Sequence, residues 1–273
     1  MNLNGMRCLL AGGARGLGAA LALDLAERGA DLALSYHSSA RQADETCAAV
    51  RARGRRCVAL RADLANAADT RRLVASTATE LGGLEALVYC ASGPFVPQRP
   101  DELDEAAWTA SLDTIAKGFL FTAQAAYRAF TAGGRADHVG RLGDTGGGQR
   151  GGADDALGFP PTRGVIVAIT DVGGEAPWAA FAAHSAAKAA QIALVKALAK
   201  AWGPDGVRVC GVAPGPLDLA DDRRRAASER AAGRTVIGRL QRPDEIAAAV
   251  RFCLENDYVT GQNLIADGGY LLK

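Results

Sequence analysis

Histidine is scarce, paired cysteines are missing, and neither sign of charge is in excess. Only 3 histidines occur among 273 residues, and the 6 cysteines (Cys8, Cys47, Cys57, Cys90, Cys210, Cys253) stand singly without a Cys-x-x-Cys pair. That composition offers no zinc-type or His-rich metal site, so none is expected. Cysteines scattered through apolar runs read instead as buried free thiols in a reducing cytoplasm. Lys and Arg number 31 against 30 Asp and Glu, a net charge of +1. No field is left to hold nucleic acid or an anionic membrane surface. Charges or glycines interrupt every apolar run well short of the ~20 residues of a membrane span. The start, Met1-Asn2-Leu3-Asn4-Gly5, has neither the basic flank nor the cleavage site of a signal peptide. The expectation is a cytoplasmic protein acting on a small molecule, with no nucleic-acid or membrane partner.

The chain contains short apolar runs alternating with longer amphipathic ones. Strands are predicted over 7–11, 31–36, 57–62, 86–90, 164–170, 207–212 and 262–266, and helices over 17–28, 40–53, 67–81, 104–130, 182–202 and 243–254. Strands apolar on both faces, each followed by a helix, imply a parallel sheet covered on both sides. With right-handed crossovers this becomes an α/β doubly wound sheet of Rossmann type, about seven strands flanked by helices. No linker or internal repeat divides the chain, so residues 1–273 read as one domain. The segment 131–163 breaks the rhythm. It is rich in Gly, Asp and Arg and poor in large apolar residues, and it reads as a flexible insertion that cannot bury enough surface to offset its ordering entropy.

After the first strand comes Ala11-Gly12-Gly13-Ala14-Arg15-Gly16-Leu17-Gly18, which opens the first helix. Such a turn aims backbone N–H groups and a helix N-terminus at a pyrophosphate, and glycine permits the close approach. Charge selects the dinucleotide. An NAD site places a carboxylate on the ribose 2′-hydroxyl at the end of the second strand. Here that stretch is Ser35-Tyr36-His37-Ser38-Ser39, and Asp31 lies at the wrong end of the strand. Arg15 in the turn, with His37 and Ser38 as further donors, suits a 2′-phosphate. NADP(H) is the predicted cofactor.

With Gly12, Gly16 and Gly18 in place, later motifs make the chain resemble the short-chain dehydrogenase/reductase family over nearly its whole length. Asp63 in Arg61-Ala62-Asp63-Leu64 matches the family's adenine-contacting Asp after strand three. Val88-Tyr89-Cys90-Ala91-Ser92 stands where the family has Asn-Asn-Ala-Gly after strand four. Pro214-Gly215-Pro216 matches the Pro-Gly turn after strand six, and Asp267-Gly268-Gly269 matches the C-terminal signature. The resemblance implies cofactor contacts at Leu17, Leu64, Cys90, Ala91, Pro214, Gly215 and Leu217, and a homotetramer or homodimer paired through helices 104–130 and 182–202.

The catalytic half departs from the family. The usual Tyr-x-x-x-Lys is His184-Ser185-Ala186-Ala187-Lys188 here, the Ser thirteen residues before the Tyr is Asp171, and the Asn position is Ile115. Asp at the Ser position is similar to the pteridine reductase branch, as are Tyr36-His37-Ser38-Ser39 and Ala91-Ser92-Gly93-Pro94-Phe95, although that branch keeps the Tyr. Spaced i and i+4, His184 and Lys188 share a helix face. Imidazole is a competent acid or base near neutrality, while Ser185 reads as a capping or packing residue. The expected catalytic set is Asp171, His184 and Lys188, with no metal. It would serve an NADPH-dependent reduction of a C=O, C=N or activated C=C bond. The alternatives are a non-redox acid/base enzyme (dehydratase, isomerase or cyclase) and a non-catalytic NADP-binding protein on the same fold. Trp178, Phe181, Phe95, Leu217 and Leu219 are expected to line an apolar pocket, and the run 218–235 resembles the family's substrate-covering helix.

Overall fold

The computed structural model describes residues 1–132, 162–218 and 230–273. The strands are β1 (Arg7–Ala11), β2 (Asp31–Tyr36), β3 (Cys57–Arg61), β4 (Ala86–Tyr89), β5 (Gly164–Ile169), β6 (Val207–Pro214) and β7 (Asn263–Ala266). They form one parallel sheet in the order β3-β2-β1-β4-β5-β6-β7. Between them run α1 (Gly16–Glu27), α2 (Ala40–Arg51), α3 (Ala67–Leu81), α4 (Glu105–Leu112), α5 (Gly118–Thr131), α6 (Ala182–Trp202) and α7 (Pro243–Glu255).

Alternate strand residues feed two cores, as a period of two requires. Cys8 and Leu10 pack with Leu21 and Leu25 of α1 and with Ile246 and Val250 of α7. Leu9 and Ala11 pack on the opposite face with Leu73 of α3, Phe119 of α5 and Val195 of α6. The chain winds outward from β1 to β3 on one side and from β4 to β7 on the other. That reversal opens a crevice at the C-terminal ends of β1 and β4, where the ligands of doubly wound sheets bind.

One predicted element is corrected. The helix expected over 104–130 is interrupted by a π-turn at Asp113–Lys117, between α4 and α5. Gly118 N donates to Asp113 O five residues back, and the Tyr89 hydroxyl donates to Thr114 O at 2.5 Å. Gly118 packs its bare Cα against the Tyr89 hydroxyl and the Leu64 carbonyl, where no side chain would fit. A tertiary contact thus widens the turn. The insertion predicted at 131–163 lies, apart from its first and last two residues, outside the described residues, as do Leu219 and most of 218–235.

Candidate active site

The glycine turn between β1 and α1 forms a close-packed cradle. Gly12 has φ +87°, and a Cβ there would stand 2.8 Å from Ala91 N. A Cβ on Gly18 would collide with the Gly12 carbonyl. Glycine is therefore required at both, and the backbone at the mouth of the crevice stays bare for a phosphate group to approach. Two side chains absent from the predicted set hold the turn from outside. Ser35 Oγ accepts from Gly12 N at 3.0 Å, and Thr46 Oγ1 on α2 donates to Ala14 O at 3.1 Å.

Arg15 occupies the N-cap of α1, makes no capping bond and is exposed. Gly16, Leu17 and Gly18 form the first turn behind it, with Leu17 and Gly18 buried. His37 and Ser38 are exposed just beyond the end of β2. Arg61 joins them, because β3 runs in parallel register with β2 and its Nε donates to His37 O at 3.2 Å. Asp31 is indeed at the other end of β2. Its carboxylate accepts from Arg56 Nε at 2.8 Å and pairs with Arg55 at 2.8 Å. Burial works against its ionisation, but the bonds from Arg56 and the charges of Arg55 and Arg56 outweigh it and hold the carboxyl below its ordinary range.

On the far side of the turn, Asp63 accepts from Ala65 N at 2.9 Å and gives its own N–H to Asp69. Leu64 is buried, and Cys90 N is bonded to Ala11 O at 2.8 Å, which sets Cys90 and Ala91 against the glycine turn. Pro214 ends β6. Gly215 N is held by Ala266 O at 3.2 Å and Gln241 Oε1 at 3.1 Å, and Leu217 bridges to Gln241. The predicted cofactor residues thus come together along the C-terminal edge of the sheet.

Asp171, His184 and Lys188 also converge. Asp171 follows β5 and caps a short turn, its Oδ1 accepting from Gly173 N at 2.7 Å. Its Oδ2 lies 3.3 Å from His184 Nε2. His184, in the first turn of α6, is 4% exposed, and its Nδ1 is buried with no partner among the described residues. Lys188, one turn on and 3% exposed, donates to Ile169 O at 2.7 Å and to Gln191 Oε1 at 3.3 Å. Burial pushes the Lys188 pKa down, and the nearby Asp171 and Cys90 oppose this. Ser185 Oγ accepts from Trp178 N at 3.1 Å, the packing role expected for it. Ile115 is wholly buried within the π-turn.

Beside His184 opens a cavity of about 220 Å³ whose walls include Pro94, Val96, Leu103, Ala107 and Phe181, with Gln98 and Ser111 as polar members. Of the four described residues predicted to line a pocket, Phe181 is in this wall, and Leu219 lies outside the described residues. Phe95 stacks on Phe181 at 4.1 Å and meets the His184 ring edge-on at 4.9 Å, and Trp178 lies parallel to that ring at 6.5 Å. Leu217 turns instead to Gln241. The 94–103 stretch was missed because its prolines and short 3-10 turn carry no helical or strand period. Among the described residues, no cluster of three His, Cys, Asp or Glu could hold a metal ion, and no helix is long and apolar enough to cross a membrane.

Chemically, an ionised Asp171 facing Nε2 favours the imidazole tautomer protonated there. Nδ1 is then left as a lone pair with no partner among the described residues, on a buried imidazole whose carboxylate neighbour keeps some contact with solvent.

Comparison with known proteins agrees with this architecture. Residues 7–141 match the family model described as short chain dehydrogenase, and residues 152–271 the one described as Enoyl-(Acyl carrier protein) reductase. The cis-4-hydroxycyclohexanecarboxylate dehydrogenase of Sinomonas cyclohexanicum is 32% identical over 267 residues, 96% of this chain and 95% of its own. A short chain dehydrogenase of Burkholderia cenocepacia solved with NADP is 31% identical with a TM-score of 0.80, covering 99% of this chain and 100% of that one. A short-chain dehydrogenase/reductase of Serratia marcescens superposes with a TM-score of 0.82 at 27% identity, covering 99% of both chains. The match spans both halves of the sheet at once, and the chain belongs to the short-chain dehydrogenase/reductase family, whose members are oxidoreductases of small organic substrates.

Proposed function

We propose that the protein is a cytoplasmic, NADPH-dependent oxidoreductase that reduces a C=O, C=N or activated C=C bond of a small organic substrate. The observation that carries this reading is the Asp171–His184 contact at 3.3 Å, with His184 buried at the cavity wall and Lys188 one turn behind it. Gly12 and Gly18, where a Cβ would fill the cradle, fit a dinucleotide pyrophosphate. Arg15 and Arg61 at the rim of β2, with no carboxylate there, favour the 2′-phosphate form. The relative from Burkholderia cenocepacia was solved with that form. When bound, the reduced nicotinamide supplies the hydride.

The chain's own residues handle the proton. His184 delivers it to the substrate oxygen or nitrogen, and the Asp171 carboxylate stabilises the imidazolium before it is spent. Lys188, tethered to Ile169 O, orients the ribose side of the site, and the apolar wall excludes water. Positioned acid/base groups of this kind contribute about 10²–10⁴-fold. Two or four copies would pair through α4, α5 and α6, and light scattering at micromolar concentration would return a multiple of the monomer mass.

The test is consumption of reduced cofactor with a panel of ketones, enones and oxidised pterins, the last chosen for Asp171 at the family's Ser position. Stoichiometric turnover that disappears in His184→Ala supports the reading. A second reading rests on Ile115, an apolar side chain at the family's Asn position. A non-redox acid/base enzyme would convert substrate with no net change in NADPH, and that result would replace the first proposal.

A further inference from the structure

Two buried thiols remote from the acid/base pair touch each other. Cys47 lies on α2, Cys57 is the first residue of β3, and their sulfur atoms are 2.9 Å apart with Cys57 as donor. The residues are 1% and 4% exposed. One helical turn beyond Cys47, Arg51 gives Nε and Nη2 to Cys57 O at 3.0 and 2.7 Å, which fixes a guanidinium beside the pair. The hydrogen bond from Cys57 lowers the Cys47 pKa, burial opposes it, and Arg51 lowers it further. Cys57 is pushed up, chiefly by that same bond. Cys57 donates to Cys47 with a guanidinium fixed beside them, the arrangement of an attacking and a resolving cysteine. Cys210 and Cys253 interact with the same polarity, but Cys210 lies on β6, flanked by β5 and β7 inside the sheet, where no edge can open.

We propose that Cys47 and Cys57 form an oxidisable dithiol that a hydroperoxide closes into an intrachain disulfide, stapling α2 to the edge strand β3. The Cys47 thiolate attacks a peroxide oxygen. The O–O bond breaks, the departing hydroxide or alkoxide takes up the proton that the Cys47 thiol released and leaves as water or an alcohol, and Cys47 becomes a sulfenic acid. Cys57 sulfur then attacks Cys47 sulfur, the S–O bond breaks, and the hydroxide departs as water with the Cys57 proton. Two thiols lose two electrons and the peroxide gains two. Because β3 ends the sheet, local opening of its edge suffices to admit so small an oxidant. The neighbour of Cys47, Thr46, holds the Ala14 carbonyl of the glycine turn, so the staple sits directly behind the cofactor cradle.

The test treats the full chain at neutral pH with a few equivalents of hydrogen peroxide, then counts thiols after denaturation and maps disulfides by mass spectrometry. Of the six thiols, two should be lost, with a single Cys47–Cys57 cross-link that dithiothreitol reverses. Cys57→Ser should stop at a Cys47 sulfenic acid that dimedone traps, and Cys47→Ser should lose no thiol. An unchanged thiol count in the native protein would overturn the proposal. So would a cross-link mapped to Cys210–Cys253, or a sulfenic acid found first on Cys90.

Discussion

Replacing Asp171 by Asn separates the electrostatic role of this carboxylate from its structural one. The amide keeps an oxygen for Gly173 N, the 2.7 Å bond that shapes the turn after β5, so the local backbone should hold. Its NH2 group would face His184 Nε2, now 3.3 Å from Oδ2. A donor there forces the imidazole proton onto Nδ1, which is buried with no acceptor. The variant thus presents the wrong tautomer and removes the charge that stabilises imidazolium. At that separation and an effective dielectric of about 20, an imidazolium–carboxylate pair is worth about 5 kcal/mol. Side-chain exposure of 5% for His184 and 21% for Asp171 leaves room for some screening, so that figure is the ceiling. With each ~1.4 kcal/mol a factor of ten, kcat should fall about 10²–10⁴-fold. The dissociation constant for NADPH, read by quenching of protein fluorescence, should move less than about twofold, because Asp171 touches no part of the glycine turn. Steady-state cofactor consumption with a substrate from the panel measures kcat. A variant within about threefold of wild type, with an unchanged thermal midpoint, would refute the acid/base assignment of the pair.

Arg15→Ala should remove most of an at least tenfold preference for NADPH over NADH, about 1.4 kcal/mol, in parallel titrations; equal affinities in the wild type would sink the 2′-phosphate assignment. Lys188→Met should weaken both turnover and cofactor binding by roughly tenfold or more, unlike Asp171→Asn, because it also leaves Ile169 O without its donor. Gly12→Ala forces a side chain into φ +87° and against Ala91 N, so it should cost about 1–3 kcal/mol and lower Tm by roughly 3–10 °C, with cofactor binding lost in the same titration. Asp31→Asn should destabilise the fold by about 1–2 kcal/mol at neutral pH. The carboxyl is held below its ordinary range when folded, so its contribution is complete above an unfolded pKa of about 3.9 and fades as pH falls through the lower folded value. Melting curves at about pH 6 and about pH 3 should show the gap between wild type and variant closing at the acid end.

Strand and turn signals were legible because they are local. A run such as Leu9-Leu10-Ala11 followed by glycines reads as the end of a buried strand and the start of a tight strand-to-helix turn, and each predicted strand is present with its ends moved by two residues or fewer. The pairing of His184 with Lys188 was equally readable, since helical spacing alone fixes it. What escaped the sequence depends on which elements become neighbours. Arg61 joins the rim of β2 only because Tyr36 and Arg61 are register partners across two strands, so strand pairing was the signal that could have found it. Thr46 looks like an ordinary helix residue until Ala14 is brought to it, whereas Gln191, three residues after Lys188 on the same helix, was within reach of helical spacing. The break in the 104–130 helix has no local cause either, because Gly118 yields to the Tyr89 hydroxyl and a carbonyl from β3's following loop. The cavity wall from Pro94 to Leu103 has no period to read.

The π-turn at Asp113–Lys117 also acts as a phase corrector. Ala107 and Ser111 of α4 face the cavity, while Phe119 and Ala123 of α5 face the sheet core. Ala107 and Phe119 are twelve positions apart, so at about 100° per residue a straight helix would set them about 120° out of line. A wide turn that absorbs one residue brings them to within roughly 20°, and one continuous stripe serves both cavity and core. Deleting a single residue from 113–117 would restore a regular helix with every side chain chemically unchanged. It would also swing Ala107 and Ser111 by about 100° away from the substrate wall. Gene variants of this segment should therefore tolerate conservative substitution far better than a change in length, because what the five residues encode is an angle.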